Sequence, residues 1–164
     1  MRADDLIAEL MTTSGDRLLR LAFQLCHNRT EAEDLVQEAL TRVYGSWLRR
    51  RPDVASAPAY VRRAIVNEYL RTRRLRRSSE VVTDELPEVP DEGFAEHVVD
   101  ADQLWRALET LPPRQRTVLV LRYYEDLPDR EIAATISARE TTVRSLAARA
   151  LQQLRSGNLI EERP

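Results

Sequence analysis

Apolar residues recur at helical spacing through most of this chain, and no segment reads as a strand. The clearest case is EAEDLVQEALTRVYGSW, residues 31–47. There Ala32, Leu35, Val36, Ala39, Leu40, Val43 and Trp47 keep a three/four spacing that lines up one apolar stripe, with an acidic face opposite. Thr30-Glu31-Ala32-Glu33 fits a Thr-x-x-Glu capping box and predicts the start of this helix. An earlier helical region spans about residues 4–26, with an expected break at Ser14-Gly15. RRRPDVASA reads as a loop, after which Ser56 as cap and Pro58 in the first turn predict a third helix reaching about Arg74.

The C-terminal part carries a predicted helix near 101–110, the breaker Pro112-Pro113, a helix at about 114–125 and a turn at Asp126-Leu127-Pro128. DREIAATI, a short turn and RETTVRSLAARALQQLR then give two helices in helix-turn-helix order. Between the halves, residues 78–100 hold Pro87, Pro90 and Gly93 and show no helical period, so they read as a linker. The expectation is an all-α protein of two small helical domains, residues 1–77 and 101–156, joined by that segment.

Composition narrows the class. With 43% hydrophobic and 32% charged residues, the 164-residue chain suits soluble globular helices rather than a disordered polymer. No apolar run approaches the ~18 residues a membrane span needs, and the N-terminus lacks the apolar core of a signal peptide. The single cysteine, Cys26, permits no internal disulfide, so a cytoplasmic location is expected. It is most simply a small buried apolar residue.

The net charge of −2 conceals two opposed blocks. Residues 49–77 hold ten arginines against Asp53 and Glu68, a local balance of +8, while residues 78–100 hold eight acids and no arginine. A partner responds to the local field, not to the total.

Catalysis is not expected. His27 and His97 lie far apart, and no metal-ligand spacing, phosphate-binding glycine loop or nucleophile motif occurs, so neither a metal nor a cofactor is called for. Binding chemistry is better represented. In AYVRRAIVNEYLRTRRLRR, Tyr60 and Tyr69 interleave with Arg62, Arg63, Arg71, Arg73, Arg74, Arg76 and Arg77. Guanidinium groups pair with phosphates, rings stack on unpaired bases, and Asn67 can read a base edge, although a solvated helix face would carry the same charges. In the last helical pair, Ile132, Ala133, Ile136, Val143, Ala147, Ala150, Leu151 and Leu154 form the expected core face. Arg139, Glu140, Thr141, Thr142, Arg144, Ser145 and Arg149 are left outward or at the leading end, suited to phosphates and base edges in a major groove; an ordinary helical hairpin is the alternative.

Taken in order, these stretches resemble a group IV (extracytoplasmic-function, ECF) sigma factor of the sigma-70 family of bacterial RNA polymerase, over nearly the whole chain. AEDLVQEALTRVY resembles sigma region 2.2, AYVRRAIVNEYLRTRRLRR regions 2.3 and 2.4, and LETLPPRQRTVLVLRYYEDLPDREIAATISARETTVRSLAARALQQLR region 4. The resemblance implies that Asp34, Gln37 and Glu38, matching Asp-x-x-Gln-Glu, dock on the clamp helices of the polymerase β′ subunit, with the β subunit a further contact. It implies that Tyr60, Arg62, Arg63, Asn67, Arg71 and Arg74 meet the melted minus-ten element, Asn67 lining a pocket for a flipped base. It assigns Arg139, Thr141, Thr142, Arg144, Ser145 and Arg149 to duplex DNA at the minus-thirty-five element. The acidic linker resembles the segment threaded through the polymerase's RNA path, and an anti-sigma factor is an implied partner.

The chain departs from the family pattern in places. Tyr60 stands where many relatives have Trp, Ser137 where the turn glycine is usual, Arg139 where a capping Ser is common, Thr141 for a frequent Gly, and Leu146 at an often polar position. Ser137-x-x-Glu140 is expected to supply a shifted capping box. Two other classes fit the same residues: a free-standing helix-turn-helix regulator, and an anti-sigma-like helical adaptor that binds only protein.

Overall fold

A computed structural model describes residues 2–50, 56–79 and 101–156 of the chain; the acidic stretch from 80 to 100 lies outside them. The elements in order are α1 (Ala3–Cys26), α2 (Arg29–Arg50), α3 (Ala57–Ser79), α4 (Ala101–Glu109), α5 (Pro113–Leu119), a π-helical turn (Val120–Tyr124), α6 (Asp129–Ile136) and α7 (Glu140–Ser156). No strand occurs among the described residues, as the periodicity implies. The chain divides into two compact units, Met1–Leu75 and Arg76–Pro164.

In the first unit α1 packs along α2. Leu6, Leu10, Leu18, Leu21 and Leu25 of α1 are buried, as are Ala32, Leu35, Val36, Ala39, Val43 and Trp47 of the α2 stripe, with Leu40 half-buried. Val61, Ile65, Val66 and Tyr69 supply the buried face of α3. Each fully buried aliphatic side chain stabilises by about 1.5–3 kcal/mol, and these spacings secure that term for all three helices.

Local signals correct three sequence expectations. Helix α1 runs unbroken through Ser14-Gly15: Gly15 is buried, and the hydroxyls of Thr12 and Thr13 donate to the carbonyls of Ala8 and Glu9 at 2.9 and 2.8 Å. It ends where His27 turns left-handed (φ 49°) and donates its N–H to Phe23 O at 2.7 Å. Helix α2 starts at Arg29, not after Thr30, because Asn28 caps it. Asn28 Oδ1 accepts the Glu31 N–H at 2.9 Å and its carbonyl accepts the Ala32 N–H at 2.8 Å. Glu33, assigned to the box, instead pairs with Arg29 at 3.1 Å. Helix α3 reaches Ser79, beyond Arg74 and through the first two residues assigned to the linker.

The second unit is held by a buried cation. Arg116 of α5 donates to the carbonyls of Leu108, Glu109 and Leu111 at 3.0, 3.0 and 3.2 Å, so it satisfies the C-terminal end of α4. Gln153 of α7 donates to Thr110 O at 3.2 Å and ties α7 to the same turn. The helix expected over 114–125 is α-helical only to Leu119, then widens by one residue per turn to Tyr124 and stops at Asp126 (φ 53°). That widening leaves Tyr123 and Tyr124 exposed while Leu121 stays buried.

Candidate protein and nucleic-acid interfaces

Helix α2 turns its apolar stripe inward, so Asp34, Gln37 and Glu38 emerge together on the opposite face, all exposed. Glu38 is the partly engaged member: Arg42 Nε lies 3.4 Å from its Oε1, with both side chains about half exposed. Such an exposed pair contributes only about 0–1 kcal/mol and yields readily to a better partner.

Helix α3 sorts its basic block more finely than the sequence did. Tyr60, Arg63, Asn67, Arg71 and Arg74 follow three/four spacing on its outer side, a stripe ~21 Å long at about 1.5 Å per residue. Tyr60, Arg63, Asn67 and Arg74 are exposed and Arg71 half-exposed. The Tyr60 hydroxyl hydrogen-bonds with Ser46 Oγ of α2 at 3.2 Å, which fixes the ring at the head of the stripe. Arg62 stands off the stripe, half-buried, and its Nε is enclosed. Two other groups leave the exposed stripe altogether. Tyr69 is fully buried and cannot stack on a base, correcting its reading as an interleaved ring. Arg73 pairs with Glu31 of α2 at 3.0 Å and lies 5.0 Å over the Tyr69 ring, so it braces the core.

Sequence reasoning counted Glu68 only as a countercharge. It is a buried carboxylate, 5% exposed, bonded by Arg71 at 2.6 and 3.2 Å and by Arg42 at 3.2 Å. The Arg71 hydrogen bonds hold the Glu68 carboxyl below its ordinary value. Glu68 and Arg71 keep an i,i+3 spacing, but Arg42 comes from another helix and no spacing rule finds it.

In the second unit α6 and α7 are joined by Ser137, Ala138 and Arg139. Ser137 takes the left-handed conformation (φ 56°), as expected where the family favours glycine, and both it and Ala138 donate backbone N–H groups to Ala133 O. Arg139 O accepts the Val143 N–H at 3.1 Å, so Arg139 occupies the N-cap position of α7, two residues after the left-handed Ser137. Ile132, Ala133, Ile136, Val143, Ala147, Ala150 and Leu154 are buried and Leu151 half-buried. Arg139, Thr141, Arg144, Ser145 and Arg149 are exposed and Thr142 half-exposed. Glu140 and Arg144 lie 3.8 Å apart in solvent, a separation that leaves Arg144 available. Leu146 is half-buried, so it adds to packing where a polar residue is common.

Elsewhere, Cys26 is buried; its Sγ donates to Ala22 O at 3.2 Å, and burial pushes the thiol above its ordinary value. Among the described residues no helix is long and apolar enough to cross a membrane.

An all-helical protein with a paired acidic and basic surface in one unit and a helix-turn-helix in the other is the class these features define. The signature of Sigma-70 region 2 matches residues 10–79, and that of Sigma-70, region 4 matches residues 101–154. The RNA polymerase sigma-E factor of Streptomyces coelicolor is 40% identical over 147 residues, covering 90% of this chain and 82% of that protein. The RNA polymerase sigma factor SigV of Bacillus subtilis is 34% identical over 154 residues, covering 92% and 89%. The fold is shared with the sigma factor RpoE solved with the anti-sigma factor NepR from Bartonella quintana. That match has a TM-score of 0.65 at 22% identity and covers 93% of this chain and 96% of that one. The chain belongs to the sigma-70 family of RNA polymerase sigma factors, in its extracytoplasmic-function group.

Proposed function

We propose that this chain binds core RNA polymerase, carries it to specific promoters and helps open them, while the polymerase supplies the catalysis. Residues 1–77 serve polymerase docking and the minus-ten element, and residues 101–156 serve the minus-thirty-five element. Asp34, Gln37 and Glu38 meet the basic clamp helices of β′. Tyr60, Arg63, Asn67, Arg71 and Arg74 take the melted strand, with Arg62 at its margin. Arg139, Thr141, Thr142, Arg144, Ser145 and Arg149 meet intact duplex. The acidic segment 78–100 fits the polymerase's RNA path by charge, with a contact to the β subunit on the way. The work is cytoplasmic, where polymerase and DNA are. An anti-sigma factor is a further partner, as for the sigma factor of like fold.

The observation that carries this reading is the placement of an acidic exposed face on α2 beside a basic, aromatic-headed stripe on α3 of the same unit. A protein and a nucleic acid can then be held at once without sharing charge. Capture of bacterial core polymerase by the tagged chain, followed by transcription from supercoiled DNA, tests it. Core-dependent initiation is expected. Specific duplex binding by the chain alone, with no effect of core, would favour a free-standing regulator; no DNA binding even with core would favour a protein-only adaptor.

A further inference from the structure

Four charged side chains of alternating sign run from the α2 face to the α3 stripe. Glu38 Oε1 lies 3.4 Å from Arg42 Nε, and Arg42 Nη2 lies 3.2 Å from Glu68 Oε2. Glu68 in turn accepts from Arg71 Nη2 at 2.6 Å and from Arg71 Nε at 3.2 Å. The first member belongs to the docking face, and the last to the strand-binding stripe. Only Glu68 is buried; the side chains of Arg42 and Arg71 are 53% and 42% exposed.

We propose that Arg42 and Glu68 are positioning residues that couple polymerase docking to strand binding; this rests on the interface assignments made above. The physics is that of shared partners. A buried carboxylate must keep cationic partners, because an unpaired buried charge is costly. Glu68 divides its two oxygens between Arg42 and Arg71, and Arg42 divides its guanidinium between Glu68 and Glu38. In the free chain Arg42 is shared between Glu38 and Glu68, so Glu68 relies mainly on Arg71 and holds it back with a two-pronged bond. A cation of the polymerase that engages Glu38 displaces Arg42 from it. Arg42 then serves Glu68 fully, and Arg71 is released to a strand phosphate without stranding the buried carboxylate. Linkage makes the effect reciprocal: strand binding tightens docking by the same factor.

The test uses the full chain with and without core polymerase, and a short fluorescein-labelled single-stranded DNA of random sequence as probe. Arg42→Gln, at an exposed position, is expected to fold normally and to change core affinity by no more than about twofold. In the holoenzyme it should weaken strand binding about fivefold, the low end of coupling between sites. Without core it should have no effect, since Arg71 is held back either way. In an Arg71→Ala, Glu68→Gln background, which leaves no buried carboxylate to satisfy, Arg42→Gln should lose its effect in the holoenzyme as well. Equal loss with and without core, or a loss that persists in that background, would mean that Arg42 acts only as one more positive charge, and the coupling is overturned. Arg74→Ala separates the two levels of the reading. If it weakens strand binding while Arg42→Gln does not, the relay alone falls. If Arg74→Ala is also silent, the strand-binding face itself is wrong and the relay falls with it.

Discussion

Arg116 of α5 lies 5.3 Å over the Trp105 ring of α4 while donating to three carbonyls at the end of that helix. One cation thus closes a helix terminus and joins two helices, next to the turn that also anchors Gln153 of α7. Arg116→Met keeps the volume but takes a donor from these carbonyls, which costs about 1–3 kcal/mol for each one left buried without a partner. Denaturant unfolding of a Trp47→Phe chain, followed by Trp105 fluorescence, reads this unit alone. An unchanged midpoint would show that water satisfies those carbonyls equally well.

The start of α2 offers a discriminating pair. Asn28→Ala should lower stability by about 1 kcal/mol, the usual worth of an N-cap. Thr30→Ala, exposed and inside the helix, should stay within about 0.5 kcal/mol. Thermal unfolding of both variants decides; the reverse order would restore the cap to Thr30.

Ser137 holds a left-handed backbone between α6 and α7. A β-branched residue tolerates that conformation poorly, so Ser137→Val should cost about 1–2 kcal/mol and weaken duplex binding by shifting α7. Ser137→Gly should fold at least as well as the parent chain. Equal stability of the Val and Gly variants, measured by chemical denaturation, would remove the backbone argument.

Glu68 gives the first unit an acid-side dependence. Its carboxyl is held below the ordinary value by the Arg71 hydrogen bonds, so the unfolded chain takes up this proton first as pH falls. The stabilisation is therefore complete above the usual glutamate value, about 4.3, and is lost as pH falls through the lower folded-state value. Glu68→Gln should flatten that part of the stability profile while leaving the slope above pH 6 unchanged. Parallel profiles for the two chains between pH 3 and 6 would show that the pair does not survive in solution.

Much of this was legible in the residues. The α2 stripe and the core faces of α6 and α7 follow from three/four spacing alone, because burial of one helix face is a local property of sequence. What failed was of two kinds. Asn28 and Thr30 are both good caps two residues apart, and the box pattern favoured the wrong one. Arg73 and Glu68 read as surface charge because Glu31 and Arg42, which they meet, come from another helix, and Tyr69 reads as an exposed ring because its burial depends on how the helices pack. The candidate stripe is nearly visible: Tyr60, Arg63, Asn67, Arg71 and Arg74 share a helical face, from which Arg62, Arg73 and the buried Tyr69 depart.

The most direct measurement compares Asp34→Arg and Asn67→Ala for two affinities, core polymerase for the chain and assembled holoenzyme for an unpaired minus-ten-type strand. Reversing a charge against a basic surface adds repulsion, so Asp34→Arg should weaken core binding by several kcal/mol with helicity unchanged. Asn67→Ala should bind core like the parent and lose about 1–3 kcal/mol on the strand, the worth of one base-edge contact. That crossed pattern is the expected result. Core affinity unchanged by Asp34→Arg, or reduced equally by Asn67→Ala, would contradict the assignment of protein to α2 and DNA to α3.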